Sequence, residues 1–304
     1  MDIYESEIET EFEQLKTEQE QAKEVCAVIL KVENEKFGID DAPYNLNMFG
    51  KRMVDYVANA VFDTDIKYAN CNFGEDVLEI VKKVANPNAK HTIVLFSDTP
   101  LFRHKTFLQI MEYFEMKKLL ALKLTRGYVF QTEYLLSLEN LDNIQMQYFE
   151  EEDFVTCSNL KQYAMATEIL KNRILDFFMK NGVIIVDPAS TFIDAEVDIE
   201  PNVIIEQNNT ICGNSIIKNG TRLMPGNQLC DAIVCENCLL DGAKIKNCII
   251  EKNCHISKGA IVQNKTKVCE GTKIPPYACF DCVVVQKTDN LKSFVQYIAK
   301  DDRI

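Results

Sequence analysis

Between residues 193 and 280 the apolar positions fall on a six-residue grid. Ile193, Ile199, Ile205, Ile211, Ile217, Leu223 and Leu229 recur at that interval, and Ile250, Ile256, Val262, Val268, Ile274 and Phe280 do so again. Small or polar residues often stand four places after an aliphatic one, as at Ser215, Thr221, Ala260, Thr266, Thr272 and Ala278. One inward aliphatic per short strand, repeated every six residues, is the signature of a parallel β-helix whose successive coils bury one shared core. Three hexads close a triangular coil, so residues 192–280 predict roughly five coils. The interval from Leu229 to Ile250 is 21 residues, which breaks the grid and predicts a loop or a change of register there.

Upstream the pattern is different. From Val25 to about Leu141, apolar β-type runs alternate with helical ones: CAVIL, then Met48 to Val61, Asp76 to Val84, HTIVLF, Lys105 to Leu122, and YVF. Strands alternating with helices predict βαβ units and a mainly parallel sheet. Residues 159–181 form a strongly periodic helix that Asn181-Gly182 would stop. At the other end, residues 1–24 place Ile8, Phe12, Leu15, Gln19 and Ala22 at helical spacing in an acidic, Pro-free and Gly-free stretch. This predicts an amphipathic helix with a thin apolar stripe, packed on its own domain or docking a protein partner.

Composition narrows the function classes. The chain has 304 residues, 47% of them hydrophobic, with no long polar tract, as expected of two globular domains. A net charge of −13 argues against non-specific nucleic-acid binding, which rests on cationic contacts to phosphate. No apolar run approaches the ~18–20 residues that span a bilayer, and no signal-peptide pattern opens the chain, so a cytoplasmic protein without membrane association is expected. Twelve cysteines in a chain of this size and character are expected to be reduced thiols.

The stretch NLKQYAMATEILKNRILDFFMKNGVIIVDPASTFIDAEVDIEPNVIIE (159–206) joins a helix, an Asp-Pro turn and the first hexads in that order. In this it resembles the linker helix and first β-helix coils of the bacterial bifunctional N-acetylglucosamine-1-phosphate uridylyltransferase and glucosamine-1-phosphate N-acetyltransferase family. AVIL (27–30), the Pro43 region with GKRM (50–53), LFSDTPL (95–101) and GYVF (127–130) look like remnants of that family's nucleotidyltransferase domain, also in order. The resemblance spans most of residues 25–278. It implies an α/β, Rossmann-like nucleotidyltransferase-like domain followed by a left-handed parallel β-helix of hexapeptide repeats. The expected division is an acidic helix over 1–24, a shortened nucleotidyltransferase-like domain over 25–158, a linker helix over 159–182, the β-helix over 183–282 and a tail over 283–304.

The same resemblance implies site residues. Nucleotidyl transfer requires amides and cations around the triphosphate and a divalent ion held by oxygen ligands. The family's loop after the first strand is rich in Ala and Gly and carries a basic residue. Here it reads Lys31-Val32-Glu33-Asn34-Glu35-Lys36-Phe37-Gly38, leaving Lys31 and Lys36 as the phosphate-binding candidates. Bulky Val32 and Phe37 replace small residues, and Glu33 and Glu35 repel phosphate. A second family lysine aligns with Tyr44, and a phenol cannot carry that charge. The metal-binding aspartate aligns with Asp98, a candidate Mg²⁺ ligand after a strand, and its asparagine partner falls at Ser158, with Asn159 beside it. No residue is singled out as catalytic.

The later coils that carry the family's acetyltransferase site are not matched, and His255 is the single histidine of the β-helix, expected to point outward. Nine of the twelve cysteines lie in residues 212–282, including the pairs Cys235/Cys238 and Cys279/Cys282, whose separation of about two coils disfavours a shared zinc. Cys212, Cys230 and Cys248 recur every 18 residues, predicting a ladder of small side chains on one face. The resulting expectation is a catalytically degenerate relative that binds a sugar nucleotide, a sugar phosphate or a protein partner. The alternatives are an active Mg²⁺-dependent uridylyltransferase making UDP-N-acetylglucosamine, and a hexapeptide-repeat acyltransferase using His255. The family's β-helix assembles as a homotrimer, and the same is expected here.

Overall fold

The structure, a computed structural model, describes residues 24–33, 42–72 and 74–298. The helix expected over 1–24 therefore lies, apart from Glu24, outside the described residues, as does Lys36. The chain divides into two compact units, Met1–Thr167 and Glu168–Ile304.

The first unit runs β1 (Val25–Val32), β2 (Asn47–Met48), β3 (Lys51–Arg52), α1 (Met53–Asn59), β4 (Asp65–Cys71), α2 (Val77–Val84), β5 (His91–Phe96), α3 (His104–Met116), β6 (Ala121–Leu124), β7 (Gly127–Gln131) and α4 (Thr132–Ser137). Its main sheet has the order β4-β1-β5-β7-β6. Strands β4, β1 and β5 are parallel, whereas β7 and β6 complete the sheet as an antiparallel hairpin. Cys26 through Leu30 are fully buried, which is why the central strand reads as an unbroken apolar run. Alternate side chains serve opposite faces. Ala27 and Ile29 join Val54, Val57, Phe107 and Ile110 of α1 and α3, while Cys26, Val28 and Leu30 join Leu78 and Val81 of α2.

Two helix boundaries and one strand differ from the sequence reading. The helix expected from Met48 begins at Met53, after the hairpin β2–β3, because the backbone N–H of Arg52 donates to Asp55 Oδ2 at 3.2 Å and its guanidinium grips the same carboxylate at 2.8 Å. That capping box fixes the helix start. The helix expected through Leu122 ends at Met116, with Lys118 in a left-handed conformation, so that Leu122 and Leu124 become strand β6. Strand β4 is absent from the sequence reading: it lies at the sheet edge with only Cys71 buried, so its mixed polar composition hides it.

His91, at the start of β5, is buried against Phe114, with Nε2 3.1 Å from Glu115 and no partner for Nδ1. Burial holds its pKa below the ordinary 6.5, with the Glu115 contact pulling the other way. The unfolded chain therefore takes up the proton first as pH falls. The stability His91 contributes is complete above about pH 6.5 and is lost as pH drops from there through the lower folded pKa. Thermal melts at about pH 7.5 and about pH 5.5 are expected to show a smaller acid-induced drop in Tm for His91→Gln than for the parent.

Helix α5 (Leu160–Lys180) carries the chain into the second unit, a left-handed parallel β-helix. Leu175 and Phe178 share its core with Val183, Ile185 and the hexad aliphatics. One wall stacks six strands: Ile184–Ile185, Ile204–Ile205, Arg222–Leu223, Leu239–Leu240, His255–Ile256 and Lys273–Ile274. The stack exceeds the five coils expected because its first strand precedes the hexad grid. Nor does the solenoid stop at residue 282. Val284–Val285 pairs with Lys267–Val268, and Gln296–Ile298 pairs with Cys279–Asp281. Tyr297 stacks on Phe280 at 4.7 Å between centroids, an aromatic contact continuing the coil where the six-residue period has lapsed.

The break between Leu229 and Ile250 is a change of register with no inserted loop. The inward positions run Leu229, Val234, Leu240, Ile245 and Ile250, all buried, so three of four steps are five residues long. Two corners are tightened by a single left-handed residue, Asp231 with φ 51° and Asn247 with φ 52°. The small inward residue then comes three places after the aliphatic, as Ala232 and Cys248 do. This overturns the three-cysteine ladder: Cys212 pairs with Cys230, but Cys230 faces Lys246 and Cys248 faces Ala232. Cys238 and Cys254 fill inward corner places on consecutive coils, and their shared hydrogen bond together with burial pushes the Cys238 thiol up. Among the described residues no group of three or more His, Cys, Asp or Glu side chains is placed to hold a metal. No described helix is long and apolar enough to cross a membrane.

Candidate functional site

In an open α/β sheet, ligands bind beyond the carboxyl ends of the strands, where successive connections leave in opposite directions. In the first unit that place lies at the ends of β1 and β5, since β1 leads outward to β4 and β5 leads the other way to the β6–β7 hairpin. Two sequence candidates stand there, Lys31 at the end of β1 and Asp98 just past β5.

The turn after β5 is tied to β1. Ser97 donates its backbone N–H to Leu30 O at 2.9 Å and accepts the Val32 N–H on Oγ at 3.0 Å. Thr99 Oγ1 donates to Phe96 O at 2.8 Å, and the Cys157 N–H donates to Asp98 O at 2.7 Å. Ser97, Asp98 and Thr99 are all buried, so the carboxylate is held on a fixed backbone. Cys157 is buried beside it, and burial, reinforced by the Asp98 charge, pushes that thiol up to about 12, which makes it inert as a nucleophile at neutral pH.

The Asp98 carboxylate does not stand open. Arg126, in the tight turn between β6 and β7, grips both oxygens, Nε to Oδ1 at 3.2 Å and Nη2 to Oδ2 at 2.8 Å. Its guanidinium carbon lies 3.9 Å from the centroid of the Phe96 ring. Bidentate pairing and stacking on an aromatic face are the two geometries that distinguish Arg from Lys. Gly127 makes the turn possible: its φ is 138°, and a Cβ there would lie 2.4 Å from Val94 O.

The backbone hydrogen bond from Cys157 to Asp98 O brings the segment that contains Ser158 and Asn159 next to the turn after β5. The side chain of Asn159, however, caps α5. Its Oδ1 accepts the Gln162 N–H at 3.0 Å and its Nδ2 donates to Gln162 Oε1 at 3.2 Å, while the Ser158 N–H donates to the same oxygen at 2.9 Å. Mg²⁺ requires oxygen ligands at roughly 2.0–2.1 Å in near-octahedral array. With a guanidinium on both oxygens of the single anionic candidate, the side chains as arranged do not fit a divalent ion.

Lys31 projects over two rings, its Nζ 5.0 Å from the Tyr68 centroid and 5.6 Å from that of Tyr44. Tyr44, standing where the family lysine was expected, thus seats the ammonium of Lys31. The Arg52 of GKRM is consumed by the α1 cap and is exposed. In the second unit His255 lies on a coil face between Leu239 and Lys273, half-buried. The residue sequence reasoning missed is Arg126. Its only local mark is an arginine followed by a glycine immediately before an apolar strand.

No family model matches the chain. Over 113 residues it is 32% identical to the bifunctional protein GlmU of Clostridium novyi, a stretch covering 37% of this chain and 25% of that protein. Over 212 residues it is 29% identical to GlmU of Nostoc sp., covering 68% of this chain and 41% of that protein. The chain thus spans less than half the length of the curated relatives it matches. The crystal structure of 4-diphosphocytidyl-2C-methyl-D-erythritol synthase from Anaerococcus prevotii superposes with a TM-score of 0.36 at 10% identity, over 49% of this chain and 99% of that one. By these matches the chain is similar, over part of its length, to the bifunctional GlmU proteins.

Proposed function

We propose that the first unit binds a sugar nucleotide, with UDP-N-acetylglucosamine the first candidate, without carrying out nucleotidyl transfer, and that the β-helix holds the chain in a homotrimer. The observation that carries the reading is the Asp98–Arg126 fork. Phosphoryl-group chemistry depends on a metal that bridges and neutralises phosphate oxygens, and the aspartate aligned with the metal ligand is already neutralised from within the chain. The retained strand-end architecture, with Lys31 and Arg126 at the carboxyl edge, supports binding. Support for assembly comes from the GlmU resemblance and from apolar residues exposed on the first coils, Ile184, Val186 and Phe192 among them.

Thermal denaturation with UDP-N-acetylglucosamine, UTP and N-acetylglucosamine 1-phosphate tests the binding half. Ligand at about a hundredfold over Kd is expected to stabilise the protein by about 2.7 kcal/mol. No stabilisation by any of the three contradicts the reading. Light scattering is expected to return three chain masses.

A further inference from the structure

We infer that Arg126 is a built-in cation: its guanidinium takes the place of a divalent metal at Asp98 and offers its remaining N–H groups to a phosphate or diphosphate. This rests on the sugar-nucleotide reading only for the identity of the ligand, since the displacement of the metal follows from the geometry alone.

A guanidinium has five N–H donors in a planar fork. Two point at the Asp98 oxygens through Nε and Nη2. Among the described residues no hydrogen bond engages Nη1, so that nitrogen's two donors and the second N–H of Nη2 remain for a ligand. The pair is unequally covered. The Asp98 side chain is 10% exposed and that of Arg126 is 34% exposed, so the carboxylate is enclosed while an edge of the cation stays open. Stacking on Phe96 and the turn at Gly127 hold the plane of the fork, which limits the entropy lost when it accepts an anion. Lys31 lies at the end of β1, with β5 between it and β7, its ammonium held over Tyr44 and Tyr68. The two cations stand on either side of the end of β5, Arg126 on the β6–β7 turn and Lys31 on the β4 side, so the fork is the group that meets the phosphate and Lys31 adds positive charge at the same edge of the sheet.

Charge also determines what cannot share the site. A divalent ion would have to displace Arg126 from Asp98 and leave a guanidinium beside itself. Glu33 follows β1, and Glu75 lies close enough to oppose Arg126 at Cys71. Recognition is therefore by directed hydrogen bonds from the fork more than by bulk positive potential.

The test uses the full chain, with circular dichroism confirming that each variant folds. Titration of Mn²⁺ alone, followed by electron paramagnetic resonance, is expected to leave the ion free with the parent protein. Arg126→Gln, which frees the Asp98 oxygens, is expected to gain Mn²⁺ binding, and Arg126→Gln combined with Asp98→Asn to lose it again. Binding of Mn²⁺ by the parent that Asp98→Asn abolishes overturns the metal half of the inference. Calorimetry with inorganic pyrophosphate and with UDP-N-acetylglucosamine is expected to give the same Kd in EDTA as in Mg²⁺, weakened by about tenfold or more in Arg126→Gln, the loss of charged hydrogen bonds. Arg126→Lys, which keeps the charge but not the fork, is expected to restore only part of that loss. If neither anion binds, the anion half and the sugar-nucleotide reading fall together. If pyrophosphate binds through Arg126 and UDP-N-acetylglucosamine does not, only the sugar-nucleotide reading falls.

Discussion

Gly127→Ala is expected to destabilise the first unit by about 2–4 kcal/mol, combining backbone strain with a steric clash. The residue has φ 138°, outside the range an L side chain adopts readily, and its Cβ would meet the backbone oxygen of Val94 at 2.4 Å. Val94 sits in the central part of β5, paired with Tyr128, so the obstacle is fixed backbone that cannot swing aside. The drop in Tm should be roughly 5–15 °C in the transition of this unit. Because the same turn carries Arg126, the variant should also lose affinity for phosphate ligands at temperatures where it remains folded. Gly74 provides the control. It also has positive φ, 89°, but a Cβ added there would meet nothing within 4 Å, so Gly74→Ala should cost only about 1 kcal/mol. Equal melting of the two variants would contradict the close approach of β7 to β5.

Ile256→Asp should unfold the second unit. Ile256 is fully buried, stacked between Leu240 and Ile274 on consecutive coils, and the substitution removes an aliphatic core side chain and leaves an unpaired carboxylate in its place. The combined cost, about 5 kcal/mol or more, approaches the whole stability of an ordinary domain. His255→Asp, one residue away on the outer face, should change stability by no more than about 0.5 kcal/mol. Circular dichroism and proteolysis of the two variants read the difference directly. Matching losses would mean that the strand does not alternate inward and outward as described.

These two cases also mark where the sequence is readable. The hexads are legible because each coil repeats the same demand, one aliphatic inward at a fixed interval, so that Ile205, Leu223 and Ile256 announce one another. The 21-residue gap is not, because three five-residue steps with one of six fill it as well as hexads with an inserted loop do; only the burial of Val234, Leu240 and Ile245 separates them. The continuation past residue 282 is hidden for a related reason, since Tyr297 completes the core by stacking on Phe280 where an aliphatic had been the marker.

At the candidate site, the strand, the following turn and Asp98 are legible because a buried parallel strand leaves a long apolar run ending at the ligand edge. The neutralisation of Asp98 is not legible. Arg126 is 28 residues farther along the chain, in a hairpin whose antiparallel pairing with β5 the alternation of strands and helices does not reveal. Tyr44 reads as the loss of a cation, and the fold gives it a different use, a ring beneath Lys31.

If Arg126 stands in for the metal at Asp98, as proposed, the first unit binds phosphate ligands without transferring nucleotidyl groups. Pyrophosphate release from UTP and N-acetylglucosamine 1-phosphate in the presence of Mg²⁺ decides the point. No release above the protein-free background is expected; robust release that is abolished in Asp98→Ala overturns the proposal.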